Sequence, residues 1–181
     1  MVLPIGPLMI EHRLIERMII QMNNELEKIK KTKKVDPNFI DMAVDFIRIY
    51  ADRCHHGKEE DILFRDLKKK KMNKELQNVM NELIEEHKWA RKTTKKLVKA
   101  KEAYVAGKIE ATETVIELLQ KLTTFYPKHI EKEDKHFFKP VMEYFTPEEQ
   151  EQMLQEEYDF DKQFIHQVYE DKVKQLEKRN H

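Results

Sequence analysis

The ten residues His55-His56-Gly57-Lys58-Glu59-Glu60-Asp61-Ile62-Leu63-Phe64 place imidazoles and carboxylates one helical turn apart, inside a segment otherwise rich in helix formers. A second stretch, His129-Ile130-Glu131-Lys132-Glu133-Asp134-Lys135-His136-Phe137-Phe138, repeats the pattern: His, two variable residues, Lys-Glu, an acid, and an apolar pair ending in Phe. Matching the two stretches aligns His55 with His129 and Glu59 with Glu133, each pair at i,i+4. Side chains with that spacing are neighbours on one helix face, so each pair can hold a metal ion from a single helix. Imidazole with carboxylate suits iron, manganese or zinc. Chance produces one His-x-x-x-Glu easily; two with the same flanks are far less accidental.

The elements that must carry these residues are helical. The chain of 181 residues reads as one domain, 1–181, long enough to bury a core. Only three glycines and six prolines interrupt it, and Lys, Glu, Leu, Ile and Met abound, which points to helix throughout. Lys+Arg and Asp+Glu balance at 34 each, so no one-signed field favours nucleic acid or an anionic membrane as partner. The lysine-rich runs at 30–34 and 68–71 read as solvated helix ends. Cys54 is the sole cysteine, which excludes an intrachain disulfide and fits a reducing compartment. No apolar run approaches a membrane span and Met1–Ile10 does not look like a signal peptide, so a soluble, cytoplasmic protein is expected. Nothing resembles a fused receptor, kinase or DNA-binding module.

Taken in order, Met1–Pro7 reads as an irregular lead-in. Leu14, Met18, Ile19, Met22, Leu26 and Ile29 predict a first helix from about Leu8 to Lys31. Asp36-Pro37 is a strong start signal for a second helix that runs through the first motif to about Lys70. A third is expected from Asn73 to Gly107, and a fourth from about Ile109 to Phe138, interrupted by Pro140. Thr146-Pro147-Glu148-Glu149 opens a last helix, about 147–178. The fold class is therefore all-α: an antiparallel up-down four-helix bundle over about 8–138, with an additional C-terminal helix. Counted from the end where the first two helices join, His12, His55, His87 and His129 each lie about 18 to 20 residues up their helices. At 1.5 Å per residue that is one level, roughly 27 to 30 Å up the bundle. Equal height makes a site.

These residues resemble the hemerythrin-like family, the HHE cation-binding domain. The resemblance covers about Leu8 to Pro140. It rests on Glu11-His12-Arg13, on His-His-Gly-Lys-Glu-Glu-Asp-Ile-Leu-Phe, on Glu85-Glu86-His87, and on His129-x-x-x-Glu133. It implies two non-haem iron ions, bridged by Glu59, Glu133 and an oxo or hydroxo group. His12 and His55 would serve one iron, His87 and His129 the other. A further ligand that members take from a second histidine on the third helix, or from late in the first, has no counterpart here: Trp89, Arg91 and Lys33 stand in those regions. His56 is the substitute implied, since an iron-sensing member uses the residue after its second-helix histidine. The resemblance further implies a small oxidant (O2, peroxide or NO) at an open metal position, for oxygen binding or sensing. A diiron redox enzyme (peroxide or NO detoxification, iron-centre repair) and iron storage are the alternatives.

Other residues carry weaker signals. A register shifted by one, His56 with Glu60, also satisfies i,i+4. His136 aligns with Ile62 and reads as no ligand; His166 and His181 read as surface residues. Cys54 reads as a small buried apolar group. Tyr50 and Tyr126 read as core aromatics, with hydrogen bonding to a bound ligand as the alternative. Gly57 within a helix costs about 1 kcal/mol relative to Ala, which points to close approach by another backbone or by an exogenous ligand.

Overall fold

The computed structural model describes residues 2–177, and they form five helices with no strand among them. Helix α1 is Ile5–Thr32. Its start corrects the expected irregular lead-in. Gly6 N–H bonds to the Leu3 carbonyl at 2.8 Å, and Pro7 lies in the first turn, where a missing N–H costs no intrahelical bond. Lys33 ends α1 in the left-handed region (φ 53), its N–H donating to Ile29 O.

Helix α2 covers residues 37–67, with Asp36 as its cap. The carboxylate accepts from Asn38 and Phe39 N–H at 3.0 and 3.2 Å, and Pro37 holds the first position. Helix α3 is Lys74–Val105. Asn73 caps it, accepting from Leu76 N–H at 2.8 Å, and Gly107 (φ 89) follows its end. Helix α4 covers residues 111–142 and α5 is Pro147–Glu177. A reciprocal pair opens α5: Thr146 N–H donates to Glu149 Oε2 and Glu149 N–H to Thr146 Oγ1, at 2.9 and 3.3 Å.

Pro140 does not interrupt α4 as expected. Residues Glu133–Phe137 are π-helical, and a fresh α-helical turn, Phe138–Met142, follows. Pro140 falls in that first turn, so its missing N–H breaks nothing. The same loose i→i+5 winding occurs in α2, over Ile47–His56 and Glu59–Phe64. Each of the three π segments overlaps one of the two motifs, in keeping with the habit of such segments to sit at functional sites.

α4 packs between α1 and α3, α2 packs on α3, and α5 lies along the π-helical part of α2. Apolar side chains fill the bundle in two clusters. One holds Met22, Leu26, Ile40, Leu119 and Leu122; the other holds Leu8, Leu63, Phe64, Leu83, Phe137 and Phe138. At about 1.5–3 kcal/mol for each large side chain buried, these clusters supply the driving force for the bundle. Between them lies a polar layer of histidine and glutamate. The protein bears the cost of that layer only because the layers on both sides are apolar and closely packed.

Candidate metal centre

Buried in this layer are His12, His55, His56, Glu59, His87, His129 and Glu133, none more than 2% exposed. α1 supplies His12, α3 His87, α4 His129 and Glu133, and α2 the remaining three. An α-helix would turn successive side chains about 100° apart. The wider π winding of α2 narrows that angle and lets His55 and His56 both face inward. The two helical registers that the sequence allowed are thus not alternatives for the histidines. For the glutamates they are: Glu59 points inward, and Glu60 sits outside the layer, bonded to His87 Nδ1 and Arg91.

Donor atoms gather in two groups, within each of which they lie no more than 4.8 Å apart. One is His12, His55, Glu59 and Glu133; the other is His56, His87 and His129. Glu133 reaches His12 Nε2 at 3.1 Å and His129 Nε2 at 3.2 Å, and Glu59 lies 3.4 Å from both His55 Nε2 and His87 Nε2. His56 stacks on His87 with centroids 3.8 Å apart. Phe138, Phe64 and Phe125 lie flat beside His12, His87 and His129 respectively.

A ring of carboxylates surrounds the layer and sets the orientation of each imidazole. Glu11 of α1 accepts from His55 Nδ1–H of α2 at 2.8 Å, and Glu60 of α2 from His87 of α3 at 2.7 Å. Glu86 of α3 accepts from His129 of α4 at 2.7 Å, and Asp134 of α4 from His12 of α1 at 2.8 Å. Each helix orients the histidine of the next, and the circuit closes. Asp52 plays this part for His56 within α2, at 3.3 Å. Every ring carboxylate also meets a cation: Lys58 on Glu11, Arg91 on Glu60, Lys132 on Glu86 and Arg13 on Asp134. With the proton fixed on Nδ1, the Nε2 lone pair is left facing inward, the arrangement of metal-binding imidazoles. Sequence reasoning missed this ring. The signal was present, since Glu11, Glu60, Glu86 and Asp134 each sit next to a candidate ligand, but the partner of each lies on another helix.

The inward atoms lie close to one another but make no hydrogen bond. Nε2 of His12, His55, His87 and His129, and both oxygens of Glu59 and of Glu133, are buried without a hydrogen bond. Orphaned buried polar atoms are costly and rare, and eight converging on one layer fit a group of cations that would complete them. Without a cation, protons must serve instead. Burial and then the Glu133 charge hold Glu59 well above the usual carboxylate range. Burial raises Glu133 too, but the imidazoles of His129, His12 and His87 outweigh it and hold that carboxyl well below. His12, although buried, is raised to about 9 by its hydrogen bond to Asp134 and the nearby Glu133 charge, whereas burial lowers His55 to about 4.

A model described as the hemerythrin HHE cation binding domain matches residues 3–141, about three-quarters of the chain. The chain belongs to the hemerythrin family of HHE cation-binding domains. No curated protein and no solved structure matches it. The matched segment of this hemerythrin-like chain ends within α4, so α5 lies outside it.

Beside the layer is a cavity of about 110 Å³ lined by Asp52, His56, Ala90, Arg91, Thr94 and Tyr126, with Ile47 and Arg48 completing the wall. Tyr126 is 1% exposed, and its hydroxyl has no partner. Tyr50 is half-buried and stacks on Phe46. His136 is exposed and outside both donor groups. The His166 side chain and His181 lie outside the described residues. Cys54 is buried 3.6 Å from Asp161, and burial pushes its thiol up to about 12, which suits a packing role over a reactive one. Among the described residues no helix is long and apolar enough to cross a membrane.

Proposed function

We propose that this chain binds two iron ions in the layer and uses them to bind dioxygen or a related small oxidant, for oxygen binding or sensing. The observation that carries the reading is the convergence of four imidazole nitrogens and four carboxylate oxygens, all buried and all without partners. His12 and His55 would hold one iron, His56, His87 and His129 the other, with Glu59 and Glu133 between them. Imidazole and carboxylate suit iron, and an iron pair supplies reversible electron transfer to a small oxidant. Seven side chains would not fill the coordination of two ions, so room would remain for an exogenous ligand.

The protein's own groups prepare that room. Phe64, Phe137 and Phe138, all wholly buried, exclude water from one side. On the other side the cavity beside His56 offers space for a small molecule, with the Tyr126 hydroxyl as a free donor. The carboxylate ring keeps each Nε2 aimed inward, whatever the state of the ions.

The test is optical. The ferrous protein, purified without oxygen, is exposed to air and then returned to argon. A visible absorption band that appears and then reverses supports the reading. Steady oxygen evolution from added peroxide would replace it with a peroxidatic enzyme, and an unchanged spectrum would remove oxidant binding altogether.

A further inference from the structure

One link of the carboxylate ring differs from the other three. Arg13, Arg91 and Lys132 are 54%, 39% and 27% exposed, whereas Lys58 is wholly buried. It is buried because α5 covers it. Lys58 Nζ donates to both oxygens of Asp161 on α5, at 2.8 and 3.0 Å, and also to Glu11. The other oxygen of Glu11 accepts from His55 Nδ1 at 2.8 Å. A continuous chain, Asp161–Lys58–Glu11–His55, thus runs from the C-terminal helix into the donor layer.

Packing at the neighbouring residue agrees. A Cβ on Gly57 would lie 3.0 Å from Phe160 Cζ, tighter than an ordinary contact. The glycine lets the Phe160 ring rest on the α2 backbone between His56 and Lys58. The close approach is made by a side chain and not by the backbone or exogenous ligand that the sequence suggested. Glu157, one turn earlier on α5, is 1% exposed and has no hydrogen-bond partner, so α5 brings two carboxylates to the vicinity of this one ammonium.

We propose that Lys58 and Asp161 are positioning residues for the metal pair, through which α5 clasps the ligand-bearing turn of α2 and couples its own docking to cation binding. The proposal rests on the reading that the layer binds metal. Without the Asp161 charge, the buried ammonium keeps Glu11 as its one hydrogen-bonded carboxylate and draws it away from His55. The imidazole then loses the bond that keeps its proton on Nδ1, and with it the inward lone pair. Coupling of this kind is reciprocal: if docked α5 tightens cation binding, bound cation must tighten α5 by the same factor.

The experiment uses the full chain loaded anaerobically with iron(II). Release of iron to a chelator is followed alongside amide exchange of residues 147–164. Asp161→Asn is expected to speed release of one of the two ions about ten- to hundredfold, the range for lost outer partners of a ligand. Gly57→Ala, which pushes on Phe160 without touching a charge, should act in the same direction, and Asp161→Glu should restore slow release. Loading with iron should slow exchange in α5 of the wild type. Wild-type release rates in both Asp161→Asn and Gly57→Ala, with α5 exchange raised, would overturn the clasp and leave metal binding intact. A wild type that takes up no iron would overturn both readings.

Discussion

Replacing Glu59 by methionine should have opposite effects on the metal-free and metal-loaded protein. Glu59 is wholly buried, neither oxygen has a hydrogen-bond partner, and its nearest imidazole nitrogens are 3.4 Å away. A buried polar group left unsatisfied costs about 1–3 kcal/mol, and methionine fills a similar volume with no such demand. Metal-free Glu59→Met should therefore be more stable than metal-free wild type by about 1–3 kcal/mol. For a chain of this size that raises Tm by about 2 to 12 °C. With iron the order is expected to reverse, because the wild type would gain the linkage free energy of bound cations and the variant would lack one of the two carboxylates proposed to hold them. Calorimetry of the four samples under argon measures this. A metal-free variant that melts well below metal-free wild type would refute the claim that Glu59 is a strained group awaiting a cation.

Glu59→Gln should cut bound iron below two ions per chain, whereas Glu60→Gln should retain both and weaken binding only by loosening His87; metal analysis after reconstitution separates them. The metal-free protein should lose stability as pH rises from about 6.5 to 9. His12, with its folded pKa raised to about 9, contributes stability that is present below its unfolded pKa and disappears above the folded one. Glu157, raised to about 8 by burial, acts in the same direction over a range that begins lower, so Glu157→Gln should flatten the slope between about pH 5 and 8 in chemical denaturation. Phe64→Ala should cost about 3–5 kcal/mol in unfolding experiments and expose the face of His87 on which Phe64 stacks. Faster air oxidation of the ferrous variant would accompany it; an unchanged oxidation rate would deny Phe64 its water-excluding role.

The level of the site was legible because helix rise is fixed: counting residues from the helix junctions sufficed to bring His12, His55, His87 and His129 together. The caps at Asp36, Asn73 and Thr146 were legible because each needs only its own neighbours. What escaped depends on hydrogen bonding that periodicity does not encode. An α-helical wheel cannot turn His55 and His56 inward together; the π winding of Ile47–His56 does so. The same effect at Glu133–Phe137 resets the helix and makes Pro140 harmless. The carboxylate ring escaped for another reason, since Glu11 and Glu86 look like ordinary acids of their own helices until the neighbouring helix is in place. Gly57 suggested close approach by a backbone or a ligand, whereas the fold places the Phe160 side chain there.

The most direct measurement is iron content with the optical spectrum of the full chain, purified and reconstituted without oxygen. The account predicts two iron ions per chain and an absorption change when air is admitted. One ion or none after full reconstitution, with a spectrum indifferent to air, would contradict it.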